Sequence, residues 1–421
     1  MSSILTNSSA TVALQTLKSI NSNLSKTQDE ISTGKSISSA KDNAAVFAIA
    51  KVMESDVTGF TAISESLALG QSTMGVAMNA AEQTGELLQE IKGKIISANE
   101  SNVDRDKLQS EIASLREQIG GIVGAAQFNG LNLLSNTSKT AGSGSVDILA
   151  SLDRASDGTV STKNITVGKQ DLGQGAAADA GSEADTNAGT DFSSTNHADG
   201  DTAAIATFTA SSGSGATGSV EAGRSFVIAS GSTYNAGSSD IVYVARDGDT
   251  IKDVAQQMAN RLSFTAEAAG NTDFTFAVNS NGQITAENNS GAAVADDGSA
   301  ISEADAGETG GTIGGGLELL SQVDVSTKEG AEAALSAIEG LMQTSVGAQA
   351  SFGTSARRIE IQSDFISTQI DTFKAGIGSL VDANMEETAA RLQSLQVQQQ
   401  LGVQALSIAN SAPQTILSLF R

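Results

Sequence analysis

Residues 49–95 read IAKVMESDVTGFTAISESLALGQSTMGVAMNAAEQTGELLQEIKGKI, and their spacing decides the architecture. Ile49, Val52, Asp56, Phe60, Ile63, Leu67, Gly70, Met74, Ala77, Ala81, Thr84, Leu88, Ile91 and Ile95 follow one another in steps of three and four. That is the 3.5-residue period of a coiled-coil seam, which a strand or a loop cannot use. At 1.5 Å per residue the stripe extends roughly 70 Å. The 421 residues contain a single Pro, Pro413, so the strongest helix breaker is almost absent.

Working outward, Leu17, Leu24 and Ile31 recur every seven residues, with Ile20 between them, up to a break at Thr33-Gly34-Lys35. Ser39 and Asp42 then resemble a helix-opening capping box. Beyond residue 95 a second helical pattern runs through Leu108, Ile112, Leu115, Ile119 and Val123, ending near Gln127-Phe128-Asn129-Gly130. The other end of the chain behaves alike. Ile359, Ile366, Ile370, Phe373, Ile377 and Leu380 form one stripe. Met385, Ala389, Leu392, Leu395, Gln399, Gly402, Leu406 and Ala409 form the next, and Pro413 is expected to stop it.

The middle is built differently. Residues 138–316 are rich in Gly, Ser, Thr, Ala and Asp, with β-type runs at 225–228, 241–244 and 274–278. Thr250 to Leu262 reads as an amphipathic helix through Ile251, Val254, Met258 and Leu262. A small α+β module is expected there, with low-complexity stretches at 173–203 and 289–316. The fold class is therefore α+β and multi-domain: a long coiled-coil-like helical rod formed by both chain ends, with a β-rich inserted outer domain. Residues 1–41 with 385–421 form the terminal helices. Residues 42–141 with 317–384 form the helical rod domain, with a β-hairpin near 140–170. Residues 142–316 form the surface-exposed insert.

Composition narrows the function. Aromatic residues are 4%, so aliphatic helix packing rather than an aromatic-rich globular core is expected. Cysteine is absent, which removes disulfides and thiolate chemistry. The net charge is −24, and residues 138–316 carry 23 acidic against 8 basic side chains. Such a surface repels nucleic acid and anionic lipid, so neither is an expected partner. No run reaches the roughly 18 apolar residues of a membrane span, and no signal-peptide pattern precedes Lys18. Export without a cleaved signal is the expectation if the chain leaves the cell. No membrane insertion is expected.

The terminal segments, about 1–33 and 385–421, carry apolar stripes but few charges on their other faces. A lone helix cannot bury such a stripe, so the two ends should pair with each other and with further chains. Leu17, Ile20, Leu24, Ile31, Leu392, Leu395 and Leu406 are the expected subunit-packing residues. A helical bundle closed on itself would present the same pattern.

At this point the motifs become recognisable. The run Leu24-Ser25-Lys26-Thr27-Gln28-Asp29-Glu30-Ile31-Ser32-Thr33-Gly34-Lys35, followed by residues 38–45, resembles the N-terminal signature of bacterial flagellins. Ala126-Gln127-Phe128-Asn129-Gly130 is similar to a further family motif. So is the ending, Ala405-Leu406-Ser407-Ile408-Ala409-Asn410 with Pro413 through Arg421. The resemblance covers about 1–150 and 325–421. One departure is Asn384, where the family pattern has an acidic residue.

The resemblance implies a structural subunit that polymerises into the helical flagellar filament used for swimming motility, secreted and extracellular. It implies as partners other copies of the chain, a flagellar export chaperone, the filament cap and hook-junction proteins, with type III export. Alternatives are a hook–filament junction protein, which shares related helical ends, and a non-flagellar coiled-coil surface adhesin. Many flagellins also carry a Gln-Arg-Val-Arg-Glu-Leu run that a vertebrate Toll-like receptor grips. The corresponding stretch here is Leu88-Gln89-Glu90-Ile91-Lys92-Gly93, which places Gln89 at the first Arg and Gly93 at the final Leu. Glu111 matches the family's receptor patch.

No catalytic, metal or cofactor site is expected, and the chain reads as a non-enzyme. Its one His, His197, cannot supply a His-Glu-x-x-His zinc motif, and its polar neighbours suit a solvated loop better than a triad. Residues 310–316, GGTIGGG, lack the Lys and Ser/Thr of a phosphate loop. Asp247-Gly248-Asp249 lacks calcium-loop spacing and reads as a turn.

Overall fold

A computed structural model describes residues 7–155, 159–178, 198–206, 208, 215–235, 237–294, 301–304 and 311–419. The chain divides into two compact units, residues 1–64 with 364–421, and residues 65–363.

In the first unit, helix α1 (Ser8–Thr33) packs antiparallel against helix α6 (Met385–Leu419). Asn7 and Ala409 meet at one end of the pair, and Asn21 and Gln399 meet further along. Gly34 ends α1 in the left-handed conformation, at φ 69°, which an L side chain resists. The links that follow α1 and precede α6 run side by side. Ser36 donates its N–H to the Val381 carbonyl at 2.7 Å, and Ala383 donates to that of Gly34 at 2.9 Å.

Helix α2 (Ala44–Ala98) does not open at Ser39. The Asp42 carboxylate instead accepts from the Ser39 N–H and hydroxyl, each at 3.0 Å, and closes a turn. The Asn43 side-chain oxygen then accepts from the Val46 N–H at 3.3 Å and caps the helix. Residue 43 is the better cap because the carboxylate one position earlier is already taken. The inward face here is also rotated by one residue from the expected stripe. Ala50 is buried and Met53 half-buried, while Ile49 and Val52 are exposed. Phe60 packs edge-on against Phe373 of helix α5 (Lys328–Val381), with ring centroids 5.5 Å apart.

In the second unit the stripe lies where its period places it. Leu67, Met74, Ala77, Ala81, Thr84, Leu88, Ile91 and Ile95 of α2 are buried. So are Ile112, Ile119 and Val123 of helix α3 (Arg105–Ala125), and Ala334, Ile338, Leu341, Ala348, Phe352 and Ile359 of α5. Strands β1 (Gln127–Phe128) and β2 (Leu131–Asn132) turn through Asn129 and Gly130, both at positive φ. Strands β3 (Ser145–Arg154) and β4 (Val160–Gly168) form a bulged antiparallel hairpin. Its Ile148 fills the space left by the missing Cβ of Gly70 on α2.

From Leu172 the chain reaches Ala178, which exchanges two backbone hydrogen bonds with Thr312, at 3.1 and 2.7 Å. The residues between these points include a module with two three-stranded antiparallel sheets. One orders β10 (Ile301–Ala304), β6 (Ser225–Ile228) and β7 (Ile241–Val244). The other orders β5 (Thr202–Ala206), β9 (Ile284–Asn288) and β8 (Phe274–Val278). Helix α4 (Ile251–Ala268) begins with a reciprocal Thr250–Asp253 capping box. It buries Ile251, Val254, Met258 and Leu262 against Phe226, Tyr243 and Ile284 in one core.

Candidate assembly surface

The seven packing residues expected from sequence gather in the α1–α6 pair. Leu395 is buried, at 8% exposure, and Leu17, Ile20, Leu24, Ile31, Leu392 and Leu406 are half-buried. The helices approach closely where α6 has no side chain: Leu17 Cδ1 lies 3.2 Å from the point a Gly402 Cβ would occupy. Asn384 caps α6 with its amide oxygen, accepting from the Glu386 N–H at 3.2 Å. An amide oxygen serves this cap as a carboxylate does, which explains why an acidic residue is not needed there.

The stripe reading missed a second apolar row. Val397, Leu401 and Ile408 recur at steps of four and seven on α6, on the face nearly opposite the paired stripe, and are 55%, 57% and 70% exposed. On α1, Val12 and Leu14 are likewise exposed. Their signal was present in the sequence, but only the pairing of the helices separates covered from uncovered positions.

Helix α6 also runs through Pro413 to Leu419 rather than ending before it. A proline removes the N–H that residue 409 would otherwise accept. The Ala409 carbonyl instead accepts from the side-chain Nδ2 of Asn7 at 2.8 Å.

The receptor-patch positions lie in the second unit. Gln89 and Gly93 are exposed one turn apart on α2, and nothing stands within 4 Å of a Cβ built on Gly93. Glu111 on α3 bridges to Lys94 on α2 at 2.5 Å. That hydrogen bond holds the Lys94 ammonium above its ordinary pKa.

The buried charges are held within the fold. Arg246 donates through Nη2 to the Gly314 carbonyl at 2.7 Å and lies 3.5 Å from Asp171. Arg261 pairs with Glu318 at 2.6 Å, and the other Glu318 oxygen accepts from the Ala177 N–H. Asp249 accepts from the Tyr243 hydroxyl and the Arg246 N–H, and burial pushes both its pKa and that of Tyr243 up. Asp247 accepts from the Gly144 N–H at 2.6 Å, so both acids of the Asp247–Asp249 turn are engaged. The glycine-rich run serves close approach: a Cβ on Gly315 would fall on the Gly173 carbonyl. Among the described residues, no three His, Cys, Asp or Glu side chains stand together as a metal set, and no helix is long and apolar enough to cross a membrane. His197 and Gly310 lie outside the described residues.

Helical chain ends, an exposed apolar row and a strand-bearing middle describe a helical subunit with an inserted module. Comparison with known proteins gives the family. The model of the bacterial flagellin N-terminal helical region matches residues 4–139, and that of the C-terminal helical region matches residues 335–420. Flagellin A of Rhizobium meliloti is 32% identical over 423 residues, covering all of both chains. Among solved structures, FliC from Burkholderia pseudomallei has a TM-score of 0.30 at 18% identity, over 69% of this chain and 99% of that one. The flagellar junction protein FlgL from Legionella pneumophila has a TM-score of 0.32 at 13% identity, over 79% and 98%. At these scores neither structure carries weight in the assignment. The chain belongs to the bacterial flagellin family. It is a structural subunit of the extracellular flagellar filament, with helical ends and a strand-containing middle.

Proposed function

We propose that the α1–α6 pair is the element through which this subunit polymerises. The observation that carries the reading is the exposed row Val397, Leu401 and Ile408 on the face of α6 turned away from the paired stripe. Leu17, Ile20, Leu24, Ile31, Leu392, Leu395 and Leu406 hold the two ends together, and the outer row meets neighbouring copies. Fully burying one Leu contributes about 2 kcal/mol, and a carboxylate in its place adds a desolvation cost. Leu401→Asp should therefore raise the critical concentration for polymerisation at least about thirtyfold, with monomer helix content unchanged. Leu395→Asp should also loosen the pair within the monomer. A Leu401→Asp protein that polymerises at the parental concentration would remove the outer row from the interface.

The chain is further proposed to leave the cell by flagellar type III export, bound beforehand by an export chaperone. It then adds beneath a filament cap and meets hook-junction proteins at the filament base. These readings rest on family membership. A non-enzymatic role follows the same reasoning. The domain division at 41/42, 141/142, 316/317 and 384/385 is proposed on the change of sequence period at those points. Gln89, Gly93 and Glu111 are proposed as the receptor-patch equivalents, with Gln89 and Gly93 making the chain a poor agonist.

A further inference from the structure

We infer that Asn7 is the positioning residue that lets α6 continue past Pro413, and that it thereby couples the start of α1 to the last turns of the chain. Pro413 cannot donate to the carbonyl four residues earlier, that of Ala409. Asn7 Nδ2 lies 2.8 Å from that oxygen and replaces the lost donor. The neighbouring Ile408 carbonyl also accepts a side-chain donor, the Ser411 hydroxyl, at 2.9 Å. The same Asn7 side chain caps α1: Oδ1 accepts from the Ala10 N–H at 3.1 Å, and the Asn7 carbonyl accepts from the Thr11 N–H at 3.1 Å. One amide thus serves two helices, its oxygen accepting on its own and its Nδ2 donating to the partner. An Asp at residue 7 would cap α1 as well but offers no donor to α6. Beyond the proline lies the run Ile416-Leu417-Ser418-Leu419, so the hydrogen bond decides whether the backbone of that run continues as helix.

The test is a double-mutant cycle in the full chain using Asn7→Asp and Pro413→Ala, read by critical concentration and by amide exchange over residues 410–419. The alanine of the second variant would supply its own N–H to the Ala409 carbonyl, making the Asn7 donor redundant. Asn7→Asp alone should raise the critical concentration about fivefold, equivalent to about 1 kcal/mol, and speed exchange over 410–419 by a similar factor. In the Pro413→Ala background the same change should have less than about a twofold effect. Asn7→Ala, which also loses the α1 cap, should keep a penalty in both backgrounds. If Asn7→Asp abolishes filaments, Pro413→Ala must restore them. An equal Asn7→Asp penalty in both backgrounds, or no restoration, overturns the inference.

Discussion

Gln89 and Gly93 show how little a single position reveals until its surroundings are known. Both are exposed on one face of α2, and the space around Gly93 is open. An Arg recognised by a planar pair of hydrogen bonds is not replaced by a neutral Gln, and Gly offers no apolar contact in place of Leu. Loss of an anchor Arg commonly costs 2 kcal/mol or more, roughly thirtyfold in affinity. The purified monomer should therefore be a weak agonist in a reporter assay for the Toll-like flagellin receptor. Gln89→Arg with Gly93→Leu should recover part of the signal without loss of fold, because both positions are exposed and a Cβ on Gly93 meets nothing within 4 Å. Parental potency equal to that of a flagellin with the intact run would show these positions do not form the contact. Asn43 and Asn384 carry a related lesson at helix starts. Both caps are asparagines whose side-chain oxygen accepts from the N–H two or three residues on.

At the scale of elements, the α1–α6 pair is limited by its closest point. Gly402 faces Leu17 and Ile20, with Leu17 Cδ1 3.2 Å and Ile20 Cδ1 3.7 Å from a Cβ built there. The tip of a leucine can move by a few tenths of an ångström, and Ala favours a helix over Gly by about 1 kcal/mol. Gly402→Ala should thus leave the pair unchanged or slightly stabler. Gly402→Phe should push α1 away at a cost of about 1–3 kcal/mol, visible as faster amide exchange over residues 8–33. Unaltered exchange in the Phe variant would mean that the helices do not meet at this point. The seven-residue spacing of Leu17, Leu24 and Ile31 made the pairing legible in advance. The exposed row Val397, Leu401 and Ile408 was not, because a helix with two apolar stripes gives no sign of which its partner covers.

For the whole molecule, the place where the middle can be removed is set by Ala178 and Thr312, which hydrogen-bond to each other as the chain departs and returns. The module between them has its own core, built from residues 205–286. Arg246 and Arg261 reach out of it to Asp171, Gly314 and Glu318. Both of those acids keep other donors: Asp171 accepts from the Gly173 N–H and Glu318 from the Ala177 N–H. Replacing 179–311 by a two-residue Gly linker should therefore leave a folded subunit that still polymerises, into thinner filaments under electron microscopy. A variant that folds but never forms filaments would show that the middle takes part in assembly.

The period of three and four, the scarcity of proline and the composition change after residue 137 determine two helical ends and an unlike middle. Side-chain spacing along a helix or strand is a local property, so it can be read from the chain itself. The stretch Thr250–Leu262 was legible for the same reason. Tertiary structure alone decided that α2 turns Ala50 rather than Ile49 inward, and that the exit and return points fall at residues 178 and 312. It also decided that α6 passes Pro413. Pro413 gives up the N–H that the Ala409 carbonyl would accept, and the donor that meets that carbonyl, Asn7, lies 402 residues away in sequence.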